Sequence, residues 1–520
     1  MLEKIKEKLH LKNTEKLKGI YNKINFVIEF LFSIILGYAI LKIIYVSNYC
    51  GFISKPYLAV IIITAIVILA NIIINLFIYR KKIEKLWLTF VIPIGIIFLI
   101  FILPNHVPDE NAHIYRAYDM SKGNIMVKID PETNKNSFIP KQMTEESLRS
   151  DSTYLTLLQN LEEKTDYNDE VKTFSGAQAY SPTLYIAPAI MFFISRLLDI
   201  NIILGIYLAR LANFIIFLLG GYFAIKKIPY GKLLLATYCF SPMCLQQAIS
   251  VSADSIINTT AILFIAFTLY LAFKNTIITK AEKIIYVILG ILLAVAKFVY
   301  IPILFISLII LRNKKQENKD KYKLIATTII AGIILAVIWY VISMQYVDIR
   351  TYIIENGINT IGQIKHILSN PIEYLKTLKN TFHDQGEFYI YSFIGNYLCQ
   401  FTVTVPNLTI LAYIILLMLS PFFEEHKYSI NKKEKIWLVF LTLATIILVM
   451  TALYLTWTTI GANVIEGVQG RYFFPCMIVL LICLCMKNNY VKLKYVTQLY
   501  PIILLLLNCS AIQFVIQRYI

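Results

Sequence analysis

Charged side chains are scarce in this chain of 520 residues: Asp, Glu, Lys and Arg make up 16% of it, against 58% hydrophobic residues. That balance excludes a soluble protein, which at this size has no use for so much apolar surface. Cysteine pairs of the CxxC kind are absent, and the eight cysteines show no Cys/His spacing of a metal site. Cys239, Cys244, Cys476, Cys483, Cys485 and Cys509 fall in apolar runs and read as small core residues. Only Cys50 and Cys399 lie near polar connections, and a disulfide between them is an option that the sequence does not favour. A small-residue cleavage site is lacking too. Met1 to Lys23 carries seven lysines and three glutamates, too long and too charged for a signal-peptide n-region, so 1–25 reads as a cytoplasmic basic amphipathic segment. No internal repeat is visible, which disfavours a transporter built from inverted halves. The net charge of +17 does not point to nucleic acid, because the basic residues lie in short segments between apolar spans, where the positive-inside rule puts them.

What the chain does have is a series of apolar runs near twenty residues, long enough to cross a bilayer as helices. The reading is an all-α polytopic membrane protein of about 13 transmembrane helices. An N-terminal hairpin occupies 26–85, with spans at 26–48 and 58–79. Span 86–103 opens into a long loop, 104–181, holding 13 acidic and 8 basic side chains, a net −5 inside a chain of net +17. That reversal places the loop outside and the N-terminus inside. Residues 183–198 are apolar but short and interrupted by Pro188, so a re-entrant or surface-lying helix is expected there rather than a crossing. Spans at 200–225, 232–250, 254–273, 284–296, 299–311 and 324–343 follow, with Lys297 at the outer tip of the short hairpin. A second outer loop, 344–403, carries an amphipathic helix from Asn370-Pro371, with Ile372, Leu375, Leu378 and Phe382 on one face, which should lie flat on the membrane. Residues 404–520 supply the last four spans and an outer motif at 467–475, and leave the C-terminus outside.

The chain is organised around Pro108-Asp109-Glu110-Asn111-Ala112-His113-Ile114-Tyr115-Arg116-Ala117-Tyr118, just past an apolar run. On a helix over 109–120, Asp109, His113 and Arg116 stand at i, i+4 and i+7, on one face that could hold a base, its modulator and an anion binder. A structural reading stands beside it. Pro108 suits the first helical position, and Asp109 and Glu110 suit the first turn, where the helix dipole favours negative charge. The other outward polar groups near span ends are Tyr180-Ser181-Pro182, Asp254, Lys297 and Gly467-Val468-Gln469-Gly470-Arg471-Tyr472. A lone charge at a span end is usually an interfacial anchor. Asp254 also fits a helix start capped by Ser252, and Lys297 fits a snorkelling lysine. Arg471 is harder to assign to anchoring, because its neighbour Gly470 lets the backbone come close to a ligand. Arg210 lies well inside its span, where an arginine is costly and marks a functional or paired site. Asp254 and a lipid phosphate are its candidate partners, with backbone carbonyls as the alternative. Glu29 is the other deep ionisable group.

An Asp-Glu pair just after an early span, in a large outer loop, resembles the GT-C glycosyltransferases, polytopic enzymes that take a sugar from a polyprenyl-phosphate carrier at the outer membrane face. They include the protein O-mannosyltransferases and the aminoarabinose transferases of lipid A. More closely, Pro108-Asp109-Glu110-x-x-His113-x-Tyr115-Arg116-Ala117, Tyr180-Ser181-Pro182, Ser252-x-Asp254 and Gly467-x-Gln469-Gly470-Arg471-Tyr472-Phe473-x-Pro475 resemble a large prokaryotic family of predicted membrane proteins without assigned function, itself thought to be GT-C-like. The resemblance covers roughly 86–490. It implies a GT-C-like bundle with juxtamembrane helices on a large outer loop, and a catalytic core over 86–343. Asp109 matches the GT-C catalytic aspartate and would activate an acceptor hydroxyl, with Glu110 as the fallback base. His113 and Arg116 would orient or tune the pair. Asp254 would contact sugar, acceptor or metal. Arg471 and Lys297 would hold the carrier phosphate as the glycosidic bond breaks, and Tyr180, Gln469 and Tyr472 would complete the substrate site. Asp254 stands without the partner of an Asp-x-Asp, so no metal ligand is assigned, and no cofactor is expected beyond the lipid-phosphate-linked sugar as co-substrate.

The expectation is therefore an inverting glycosyltransferase in the cell membrane, with its active site on the extracellular face. It would move a sugar from a polyprenyl-phosphate carrier to a glycan, lipid or polymer acceptor in the synthesis of a surface polysaccharide, glycolipid or teichoic-acid-type glycan. Its partners would be those two substrates and the bilayer. The alternatives are a surface-glycan polymerase or ligase, which needs the same phosphate clamp and a larger acceptor groove, a flippase or transporter of lipid-linked sugars, which needs ionisable groups along a path through several spans, and a structural assembly subunit, against which the clustered motif argues.

Overall fold

Long runs of Ile, Leu, Val and Phe satisfy their backbone groups in apolar surroundings only by closing hydrogen bonds within the run, so they become helices. In the computed structural model these are α1 (Leu2–Cys50), α2 (Lys55–Ile78), α3 (Ile83–Phe101), α7 (Ile202–Lys227), α10 (Ala253–Phe273), α12 (Asn318–Ser343), α16 (Lys432–Thr456) and α18 (Val496–Tyr519). Between them lie α4 (Glu110–Ser121), α5 (Tyr154–Glu162), α6 (Ile186–Leu197), α8 (Lys232–Tyr238), α9 (Pro242–Ala248), α11 (Lys280–Ala296), α13 (Thr360–Ser369), α14 (Pro371–Ile394), α15 (Asn407–Leu419) and α17 (Phe474–Leu481). Two small antiparallel ribbons, β1–β2 (Ser137–Pro140 with Glu170–Thr173) and β3–β4 (Tyr397–Leu398 with Val403–Thr404), are present beside short 3-10 helices; the sequence reading had no strands. The structure describes all residues except 1, 52, 131, 145–147, 149–151, 345–357, 488–489 and 492–495. Part of the expected second loop, 345–357, and the side chains of 1–19 and of Cys50 thus lie outside the described residues.

Among the described residues eight helices are long and apolar enough to cross a membrane, fewer than the expected 13 spans. The difference has local causes. The run 232–250 is two short helices, because Ser241-Pro242 ends one and starts the next: proline has no N–H to give and fits the first position of α9. The run at Phe298–Arg312 is a 3-10 helix of 15 residues. At about 2.0 Å per residue it reaches roughly 30 Å, the thickness of a hydrocarbon core that an α-helix of that length would not cross. The 472–486 run is α17 flanked by two 3-10 turns, Gly470–Phe473 and Ile482–Leu484. The stretch 183–198, not counted among the 13, holds α6, whose 12 residues at about 1.5 Å each are too short to cross alone.

α10 and α3 form the centre, with 78% and 72% of their apolar windows buried, whereas α2 and α12 bury only 22% and turn most of their surface outward. The N-terminal hairpin is joined by a polar ladder. Tyr21 donates to Asn71 at 2.5 Å, Asn25 to Asn75 at 3.0 Å, and Asn75 to Glu29 at 3.3 Å. Such amide ladders hold helices together where no hydrophobic force acts between them. Charge separates the two ends of the bundle. α10 finishes, and α11, α12 and α16 begin, among the pairs Lys274–Glu282, Lys283–Asp320 and Arg312–Glu434. At the opposite end α10 begins and α11, α12 and α16 finish, and there a cavity opens. Beside it, α13 and α14 expose Ile361, Leu368, Ile372, Leu375 and Phe382; Leu378, expected on the same face, is turned into the protein.

Candidate functional site

The cavity holds about 670 Å³ and has two unlike parts. One is lined by Asp109, His113, Tyr180, Asp254, Lys297, Arg471 and Tyr472, the other by apolar groups such as Ala336, Trp339, Val449, Ala452 and Leu455. Four stretches of chain far apart in sequence supply the charges.

Asp109 stands where a helix cap would be, before α4, yet its backbone is left-handed (φ 63°) and its side chain makes no cap bond. Aspartate enters that conformation more readily than most non-glycine residues. The neighbouring Glu110 points the other way and anchors the turn. Its carboxylate is fully buried and accepts from Arg210 Nε at 2.8 Å and Nη2 at 2.5 Å, from the Asn105 N–H at 3.1 Å and from the Val251 N–H at 3.1 Å. Arg210 also donates to the carbonyls of Ile102 and Leu103 at 2.5 and 2.8 Å. One ion pair thus ties the turn before α4, the middle of α7 and the segment that starts α10. Two expectations are corrected here. Arg210 is paired with Glu110, not with Asp254 or a lipid phosphate. Glu110 is enclosed in that pair and is absent from the cavity wall, so it is not placed as a fallback base.

Asp254, one residue into α10 after the Ser252 cap, is 7% exposed and sits between two cations. Its Oδ1 accepts from Lys297 Nζ at 2.9 Å and its Oδ2 from Arg471 Nη1 at 3.3 Å. Arg471 reaches on to Asp109 Oδ2 through Nη2, to the Pro108 carbonyl at 3.3 Å and to the Tyr472 hydroxyl at 3.2 Å, while its Nε donates to Gln469 Oε1 at 2.7 Å. The order Asp109, Arg471, Asp254, Lys297 is therefore a row of alternating charge. Of the two acids Asp109 is the open one, with 62% of its side chain exposed against 9% for Asp254. Lys297 lies 5.3 Å from the ring centres of both Tyr180 and Tyr472. Burial works against its charge, but the facing Asp254 carboxylate outweighs this and holds its pKa above the usual lysine range.

His113 lines the cavity one turn along α4, with Nδ1 2.6 Å from the Tyr185 hydroxyl and its ring stacked on Tyr185 and edge-on to Tyr180. Burial pushes its pKa down to about 4, only partly offset by Asp109, so the imidazole is neutral near pH 7. Arg116 was expected on the face of Asp109 and His113 but does not line the cavity. It lies behind, donating to Gln178 at 2.8 Å with its guanidinium 5.9 Å from the Tyr185 ring. Gln178 in turn donates to Asp119, which accepts from Ser137 of β1 and whose pKa burial raises to about 6. Arg116 thus lies behind the Tyr185–His113 stack, outside the lining of the cavity.

Gly470 of the late motif does different work from that expected. A Cβ on Gly470 would lie 2.3 Å from the Tyr389 carbonyl and 2.4 Å from the Phe393 nitrogen, so this glycine lets the segment press on α14, not on a ligand. The sequence reading missed Tyr185, Gln178 and Trp339, whose indole donates to the Ala179 carbonyl at 3.0 Å, and the whole apolar part of the cavity. Nothing in the periodicity of α12 and α16 distinguishes cavity-facing alanines from lipid-facing ones.

A family model for predicted membrane proteins, DUF2142, matches residues 90–480. The chain belongs to the DUF2142 family. That match contains all four charge-bearing stretches of the site and leaves out α1 and α2. DUF2142 membership agrees with a multi-pass membrane protein, as the eight long apolar helices do. No curated protein and no solved structure matches the chain.

Proposed function

We propose that this DUF2142 protein is a GT-C-type inverting glycosyltransferase that moves a sugar from a polyprenyl-phosphate carrier to an acceptor hydroxyl at the outer membrane face, in the synthesis of a cell-surface glycan. The observation that carries the reading is the composition of one cavity: a row of two acids and two bases at one end, continuous with an apolar trough between helices at the other. A lipid-linked phosphosugar has those two ends. The net −5 of the 104–181 segment supports an outer position for the charged end.

The residues divide the work by their surroundings. Asp254 is clamped by two cations and makes a poor base. Asp109 is the open carboxylate and takes the proton of the acceptor hydroxyl. The acceptor oxygen then forms its bond to C1 from the face opposite the phosphate, and the C1–O bond breaks with its electron pair leaving on the phosphate. Lys297 and Arg471 receive that charge. The leaving phosphate needs no general acid, so one carboxylate base suffices. Neutral His113, which lines the cavity, would hydrogen-bond a sugar or acceptor hydroxyl. No cofactor beyond the lipid-linked sugar enters this scheme. A transporter would need mobile ionisable groups along its path; of the two expected deep ones, Arg210 is paired with Glu110 and Glu29 accepts from Asn75 through one oxygen. A polymerase or ligase of lipid-linked glycans uses the same clamp, and differs in the size of what is transferred.

The test is surface-glycan analysis of cells carrying Asp109→Asn or Asp254→Asn beside wild type, with the amount of folded protein measured in each. Loss of one sugar at unchanged protein level is expected from both. Unchanged glycans in both would end the transferase proposal, and gain of an unextended lipid-linked oligosaccharide would identify the polymerase.

A further inference from the structure

The segment Glu466 to Tyr472 serves two cavities. Arg471 and Tyr472 line the charged one, whereas Glu466, Gly467, Val468 and Gln469 line a second, of about 390 Å³. Its other wall is Gln385, Phe388 and Tyr389 of α14, with Phe401 from the β3–β4 turn. Gln469, expected in the charged site, lines the second cavity instead, and its Oε1 accepts from Arg471 Nε of the first at 2.7 Å. A ligand in the second cavity therefore lies one side chain away from the arginine that holds Asp109.

The second cavity has aromatic faces and polar edges. Phe401 is 41% exposed, with its ring 6.1 Å from that of Phe388, which lies 5.5 Å from Tyr397. An exposed phenylalanine is held there at some cost. Cys399, Gln400 and Phe401 have φ of 51°, 55° and 66°, three consecutive non-glycine residues in the left-handed region. Bonds at both ends enforce the turn: the Cys399 N–H donates to Gln246, Thr402 to the Cys399 carbonyl, and Gln400 Nε2 to the Asn105 carbonyl at 2.9 Å. Asn105 belongs to the same turn that sets Asp109, so the aromatic shelf and the open carboxylate share a support. Gln385 and Glu466 at the rim supply an amide and a carboxylate to solvent.

We propose that this second cavity binds a pyranose unit of the acceptor glycan. A pyranose has an apolar CH face that stacks on an aromatic ring and an edge of hydroxyls that amides and carboxylates bind. Glu466 selects neutral or amino sugars and repels acidic ones. The proposal rests on the transferase reading for the word acceptor; the sugar site itself does not.

The experiment uses the full chain in lipid nanodiscs and saturation-transfer NMR with cellotetraose, chitotetraose and tetragalacturonate as probes. Transfer to at least one of the first two and none to the third is expected. The double variant Phe401→Ala/Gln385→Ala, whose side chains are both exposed, lowers it about tenfold or more, a loss of roughly 1.4 kcal/mol or more, and Ile334→Ala, on the exposed side of α12, leaves it unchanged. No transfer to either uncharged probe, or equal transfer in the double variant, overturns the sugar site. If sugar binding behaves as expected while Asp109→Asn and Asp254→Asn cells both keep all their glycans, the site stands and the transferase reading falls; if the glycans are lost and the shelf binds nothing, the reverse holds.

Discussion

At position 110 a carboxylate accepts two bonds from Arg210 and two from backbone N–H groups, and it is wholly enclosed. At position 109 the next carboxylate has one arginine on one side and open space on the other. Their chemistry diverges accordingly. Glu110→Gln keeps the shape but leaves the buried Arg210 guanidinium without a counter-charge, which costs on the order of 3–5 kcal/mol. Thermal unfolding of the detergent-solubilised protein should show a clear drop in Tm or loss of the folded fraction for Glu110→Gln, and little change for Asp109→Asn. Equal stability of the two would remove the positioning role of Glu110. The motif was legible as a pair of acids near a membrane end. Which acid would be free was not, because the deciding residue, Arg210, comes a hundred positions later on another helix.

Elements were legible where hydropathy alone decides them and illegible where rise or rotation does. The eight long helices follow from apolar length. The Ser241-Pro242 break follows from proline chemistry, although a continuous span was expected. The 3-10 run at Phe298–Arg312 has no signature in composition, since the same residues would form an ordinary helix. The rotation of α14 was nearly right: Ile372, Leu375 and Phe382 face outward, and Leu378 lies just over the edge. Together with Ile361 and Leu368 of α13 they form an apolar surface that a headgroup layer covers at low cost. A nitroxide placed at Leu368 or Leu375 in nanodiscs should report the depth of the acyl–headgroup boundary, and one at Asp384, which is exposed, should report water. Aqueous accessibility at all three positions would mean that α13 and α14 stand off the bilayer.

At the scale of the whole molecule the cavity joins what the bundle otherwise keeps apart, a cluster of charge and a surface that turns toward lipid. α12 buries little of itself, yet Ala336 on it is 3% exposed and lines the apolar part of the cavity, where Trp339 from the same helix is anchored to the Ala179 carbonyl. A small side chain there leaves room, and a large one removes it. Ala336→Trp should fill the trough without touching Asp109, Asp254, Lys297 or Arg471. If the donor carries a lipid tail, that substitution lowers transfer about tenfold or more, as each 1.4 kcal/mol of lost binding implies. Ile334→Trp, on the exposed side of the same helix, should leave it unchanged. The readout is the amount of the surface glycan per folded protein in each strain. A donor soluble in water would not need the trough, so full transfer by Ala336→Trp would separate the charged site from any lipid carrier and leave only its acid and base chemistry standing.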